Sequence, residues 1–192
     1  MNYMQIAATE NTIYTSPDAS KIFCYTPSII VTPTGRLIVS FDLGGEGVKS
    51  IEGHKSSRAG GSRFGQGKIF ISDDNGQQKW TFVQNFPFWH ARLFTIGNSI
   101  YLIGHAGDIC IMKSEDNGES WSDTYFLTHG EKWHSSACNV LFSNGNVYLA
   151  MEQRCRLNEV TGWDVAGLSP TLFRACVEDN LCLASSWSRS EK

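Results

Sequence analysis

Apolar and polar positions alternate in the same order in three segments of the chain. PSIIVTPTGRLIVSFD (27–42) reads as a strand, a TPTG turn and a second strand. ARLFTIGNSIYLIGH (91–105) repeats that order around a GN turn, and SACNVLFSNGNVYLAME (136–152) repeats it around SNGN. Short runs rich in Val, Ile, Leu and aromatics, broken by Gly, Asn and Pro, predict β-hairpins. Each hairpin is followed by one more apolar run: KIFIS (68–72), DICIMKS (108–114) and TLFRACVE (171–178). No segment of ten or more residues keeps the helical spacing of apolar positions, so the expected class is all-β.

The third strands of the first two units run into matching turns. SDDNGQQKW (72–80) and SEDNGESW (114–121) share Ser72/Ser114, Asp74/Asp116 and Gly76/Gly118, with Trp80 one residue later than Trp121. Asp and Asn bond back to the main chain in such turns, and Gly supplies a positive φ. The third unit carries a degraded version, EDNLCLASSW (178–187). Gly76 and Gly118 lie 42 residues apart, a period that suits four-stranded propeller blades. The expected blades run over about 25–86, 88–128 and 132–192, all within one domain (1–192). Long insertions enlarge the first (44–67) and the third (153–169).

Composition narrows the partners. Charged residues are 18% of 192 and the formal net charge is −3, which favours neither nucleic acid nor an anionic membrane surface. No apolar run approaches the roughly 20 residues of a membrane span, and the start, MNYMQIAATE, shows no signal-peptide pattern. The six cysteines form no CxxC pair, so neither a zinc ribbon nor a redox motif is expected, and no cofactor or metal is called for. Cys24, Cys110, Cys138 and Cys176 fall in apolar runs and are expected as buried, reduced thiols.

Blade topology then sorts residues by face. The third strand leaves from the face where the inner strand starts, so the SxDxG turns belong to the opposite face. Counting five residues on from Leu37, Ile100 and Val147 gives Asp42, His105 and Glu152 at the second-strand ends. Tyr25, His90 and His134 stand at the inner-strand starts, the last two in the dipeptides Trp89-His90 and Trp133-His134. The candidate catalytic set is Asp42, His90, His134, Glu152 and Tyr25. His105, Arg92, Arg154, Arg156, Arg58 and Arg63 form the candidate substrate-binding set, with Trp89 and Trp133 as platforms for sugar rings. Arginines around carboxylates suit an anionic sugar, because a guanidinium grips a carboxylate with two bonds.

The turns SDDNGQQKW and SEDNGESW resemble Asp-box (BNR) repeats, and TPSIIVTPTGRLIVSF and KWHSSACNVLFSNGNVYLAME resemble blades of the sialidase superfamily. The resemblance covers nearly the whole chain and implies a sialidase-like propeller of six blades, of which about three are present. Three blades cannot close a ring, so the expectation is an N-terminal fragment, with a homodimer of half-rings as the alternative. It further implies a secreted or periplasmic carbohydrate-active enzyme acting on a glycan. At the family's Phe-Arg-Ile-Pro the chain reads CYTP (24–27), so Tyr25 stands where an arginine of the carboxylate-gripping triad is expected. Three functions follow. The first is a glycosidase using Asp42 or Glu152 as acid/base. The second is a polysaccharide lyase with His90 or His134 as base and Tyr25 or an Arg assisting. The third is a glycan-binding propeller without catalysis.

Overall fold

The computed structural model describes residues 11–57, 64–134, 140–155 and 167–190. Three antiparallel sheets follow one another along these residues. The first contains β1 (Phe23–Val31), β2 (Leu37–Gly44), a two-residue β3 (Ser56–Ser57), β4 (Phe64–Ser72) and β5 (Thr81–Phe86). The second contains β6 (Trp89–Ile96), β7 (Ser99–Ala106), β8 (Asp108–Ser114) and a short β9 (Tyr125–Phe126). In the third, β10 (Trp133–His134) and β11 (Leu141–Ser143) both pair with β12 (Asn146–Arg154). β13 (Leu168–Cys176) and β14 (Ser188–Arg189) complete it. The expected order of hairpin, third strand, turn and fourth strand holds in all three.

Side chains alternate across a strand, and here both sets are apolar. On β7, Ile100 and Leu102 face the first sheet with Ile38, Ile69, Ile71 and Phe86, while Tyr101 and Ile103 face the third with Val147, Leu149 and Met151. The second sheet is therefore sandwiched. Each large side chain buried this way stabilises the stack by about 1.5–3 kcal/mol. A third cluster, with Val39, Phe41, Leu43 and Phe70, lies on the far face of the first sheet under Tyr14 and Trp80. The rim of that face leaves Ile29, Val31 and Phe82 exposed, as are Leu141 and Leu172 on the outward face of the third sheet.

Both SxDxG turns have one geometry. Asn75 and Gly76 take φ values of 58° and 72°, and Asn117 and Gly118 take 60° and 86°. Ser72 Oγ donates to Asp74 at 2.6 Å and accepts the Gly76 N–H at 3.0 Å. Ser114 does the same toward Asp116 and Gly118, at 2.9 Å each. Hydrogen bonds from Ser72 and Ser120 hold the Asp74 and Asp116 carboxyls below the usual carboxylate range. The third turn substitutes Asn180, whose side chain accepts the Cys182 N–H at 3.1 Å.

Arg36, in the first hairpin turn, fastens two of these turns together. Its Nε and Nη2 pair with Asp73 at 2.6 and 2.9 Å, and its Nη1 reaches Glu119 of the second sheet at 2.6 Å. Asn117 bonds back to Thr34 at 2.9 Å. Leu37 pairs with Ser72 and Ile100 with Ser114, so the turns lie at the strand ends opposite Asp42 and His105, as expected. Arg36→Ala is expected to lower stability modestly, the carboxylates being exposed and screened. That corresponds to a melting-temperature drop of a few degrees, and the drop should shrink in high salt, as thermal unfolding at two ionic strengths will show.

Of the expected buried thiols, Cys110 is buried but Cys24 is exposed, because the β1 side chains lie mostly at the surface. Cys176 is half-buried, and Cys138 lies outside the described residues. Burial pushes the Cys110 thiol up to about 12. No helix among the described residues is long and apolar enough to cross a membrane.

Candidate active site

The strand ends opposite the SxDxG turns bring together β2, β6, β7, β10 and β12. The imidazoles of His90, His105 and His134 form a triangle, with ring centroids 5.3 Å apart for His90–His105, 4.8 Å for His90–His134 and 5.6 Å for His105–His134. His134 Nδ1 meets Glu152 Oε2 at 2.8 Å. With Glu152 ionised, Nδ1 carries the proton and Nε2 is left as the basic atom. Glu152 keeps 27% of its side chain exposed and His134 12%, whereas His105 is buried. Among the described residues no group of three or more His, Cys, Asp or Glu is arranged to hold a metal ion.

Asp42 behaves differently from Glu152. It is 0% exposed, and its Oδ2 accepts the Thr26 hydroxyl at 2.6 Å and the His90 main-chain N–H. Burial pushes its carboxyl up to about 7, against the downward pull of the Thr26 hydroxyl, the His90 and Ala91 N–H groups and the Arg92 charge. Arg92 is itself buried and donates through Nη1 to the Ala91 carbonyl at 2.9 Å. Its charge thus lies inside the protein beside Asp42, not at the surface expected of a substrate clamp.

Pairing register corrects one alignment. Tyr25 faces Asp42 across β1/β2, Trp89 faces His105 across β6/β7, and His134 faces Glu152 across β10/β12. Tyr25, Trp89 and His134 are therefore the equivalent positions, and His90 stands one residue further on, level with Thr26. The look-alike dipeptides Trp89-His90 and Trp133-His134 are out of step by one. Both inner strands are irregular at this point, between Tyr25 and Ser28 and between Trp89 and Arg92, with left-handed φ at Thr26 (44°) and His90 (51°).

The slip also decides the tryptophans. Trp133 is 3% exposed, packs edge-on against Phe173 at 5.1 Å and donates Nε1 to Glu131 at 2.9 Å. It is a core residue and no sugar platform. Trp89 is half-buried and lies flat on glycines, since a Cβ on Gly65 would stand 2.2 Å from its ring. The Tyr25 ring covers Gly44 beside it, 2.5 Å from where a Cβ would be, and is 42% exposed. Tyr25 and Trp89 therefore make an aromatic shelf next to the imidazoles. Arg154 is half-buried two residues beyond Glu152 and on the same face of β12. Arg58, Arg63 and Arg156 lie outside the described residues. Thr26 was missed because only its pairing position reveals it as the counterpart of His90.

Three-sheet stacks of this topology occur in β-propeller enzymes. An α-L-arabinofuranosidase from Lactobacillus brevis is similar with a TM-score of 0.63 at 15% identity, over 95% of this chain and 60% of that one. A polysaccharide lyase, an ulvan lyase bound to -[GlcA(1-4)Rha3S]-, is similar at 0.55 and 16% identity, over 84% and 39%. NanB sialidase from Streptococcus pneumoniae is similar at 0.54 and 9%, over 94% and 40%. The chain thus spans between about two fifths and three fifths of the length of these structures. The likeness establishes the propeller-type fold and is no closer to sialidases than to the others. No protein-family model matches the sequence, and no curated protein does.

The state of Asp42 is measurable. Its folded pKa is raised, so the neutral acid is favoured by folding. That stabilisation is complete below about pH 4 and is lost as pH rises through about 7. Asp42→Asn does not titrate, so its stability relative to the parent should rise across this window, by about 4 kcal/mol at most. Chemical denaturation of both proteins at several pH values reads the difference directly.

Proposed function

We propose that this chain supplies the histidine-lined face of a carbohydrate-active propeller enzyme, with blades over 25–86, 88–128 and 132–192, and that its reaction is β-elimination from a uronic-acid glycan. The observation that carries this reading is the contrast between the two carboxylates. A glycosidase flanks the scissile bond with two carboxyl groups, but Asp42 is sealed from solvent while Glu152 is spent orienting His134. That leaves an imidazole whose Nδ1 is held by Glu152, at the same end of the strands as the exposed Tyr25.

In the proposed reaction His134 Nε2 takes the proton from the carbon alpha to the uronate carboxylate. The electron pair forms a carbon–carbon double bond, the glycosidic C–O bond on the neighbouring carbon breaks, and the departing oxygen is protonated by Tyr25 or His90. The proposed grip on the uronate carboxylate comes from Arg154, with Arg58, Arg63 and Arg156 as further expected contacts, and Tyr25 and Trp89 are the proposed flanks of the sugar. Hydrolysis is the second reading, favoured by the partial exposure of Glu152. It would use Glu152 as one carboxylate and take the other from outside the described residues. The likeness to an arabinofuranosidase and a sialidase is compatible with it.

The two readings separate in one assay. With a uronic-acid polysaccharide, elimination gives ultraviolet absorbance from the unsaturated sugar together with new reducing ends, whereas hydrolysis gives reducing ends alone. His134→Ala should cut the rate by about 100-fold or more. Absorbance produced at the parent rate by that variant, or no absorbance from the parent protein, counts against elimination by His134.

A further inference from the structure

Two inner strands from different sheets each contain a residue in a conformation that L-amino acids avoid, and one buried atom answers both. Thr26 at φ 44° and His90 at φ 51° both bear backbone strain, more pointed at Thr26 because it is β-branched. Asp42 Oδ2 accepts from the Thr26 side chain on β1 and from the His90 main chain on β6. A second cross-link lies beside it, where Ser28 Oγ accepts the Leu93 N–H at 3.0 Å. The β6 bulge places the His90 imidazole against His105 and His134. Without it the backbone would run on as a regular strand, and the next side chain would point to the other face of the sheet.

We propose that Asp42 is a positioning residue, whose buried carboxylate oxygen clamps the Thr26 and His90 bulges together and thereby aims the His90 ring into the imidazole triangle. It acts through hydrogen-bond acceptance, so neutral and ionised forms both serve, and no proton transfer to substrate is asked of it. The catalytic consequence rests on the reading of this face as an active site; the clamp itself does not.

The acceptor role distinguishes Asn from Ala. Asp42→Asn keeps a carbonyl oxygen that can accept both hydrogen bonds, so its kcat should stay within about threefold of the parent. Asp42→Ala should lose about 10- to 100-fold in kcat with little change in KM, the scale expected for a misplaced reacting group. A proton-transferring carboxylate would instead make Asn as damaging as Ala, and that result overturns the proposal. The main-chain amide of His90 gives a reading independent of turnover. Its proton resonance should lie far downfield and exchange slowly in the parent and in Asp42→Asn, and should move upfield and exchange faster in Asp42→Ala. Thr26→Val, which removes one donor while keeping the side-chain shape, should shift the same resonance by a smaller amount and carries the test if Asp42→Ala does not fold. An unchanged His90 amide in Asp42→Ala, or in Thr26→Val where that variant alone folds, overturns the clamp. The expected amide shifts in a protein that turns over no uronic-acid polysaccharide would uphold the clamp and reject elimination.

Discussion

Burial of the second sheet on both faces is the constraint on which the rest of this structure depends. A sheet covered on one side can offer alternate residues to water, but β7 and β8 cannot, since Ile100, Leu102 and Met112 pack one way and Tyr101, Ile103 and Ile111 pack the other. Polar groups are thereby pushed to the strand ends. One end receives the SxDxG turns, which satisfy their own hydrogen bonds, and the other receives the imidazoles, Glu152 and Asp42.

The two ends answer different demands. At the turn end, Ser72, Asp74, Ser114 and Asp116 spend their hydrogen bonds on one another and on their own backbone. At the other end, roughly 20 Å away along the strands, strained backbone and a sealed carboxylate coexist with partly open side chains. Strain of this kind persists only where the surroundings over-determine it, and at His90 the neighbours that do so are Asp42, Thr26 and the packed rings of His105 and His134.

Much of this was legible in the residues. The hairpins, the repeated turn and the separation of the two ends follow from turn chemistry and period-two alternation, which are local properties. Counting along the repeats brings Asp42, His105 and Glu152 to one end, and the inner-strand starts add His90 and His134 there. What local reasoning could not see was a one-residue offset. A bulge inserts a residue without changing composition, so Trp89-His90 and Trp133-His134 look alike while facing different partners. For the same reason the sequence alone does not show that Trp133 belongs to the core, nor the burial of Arg92 beside Asp42. Cys24 illustrates the complementary limit, since an apolar run says nothing about whether a neighbour covers it.

The bare apolar positions at the two ends of the stack have a consequence of their own. Ile29, Val31 and Phe82 mark one outer face, and Leu141 and Leu172 the other. These faces are the two different sides of the same kind of sheet. Joining one to the other would continue the stack head to tail, whereas joining a face to its own copy would end it. The rotation between successive sheets then decides whether such growth closes on itself or runs on.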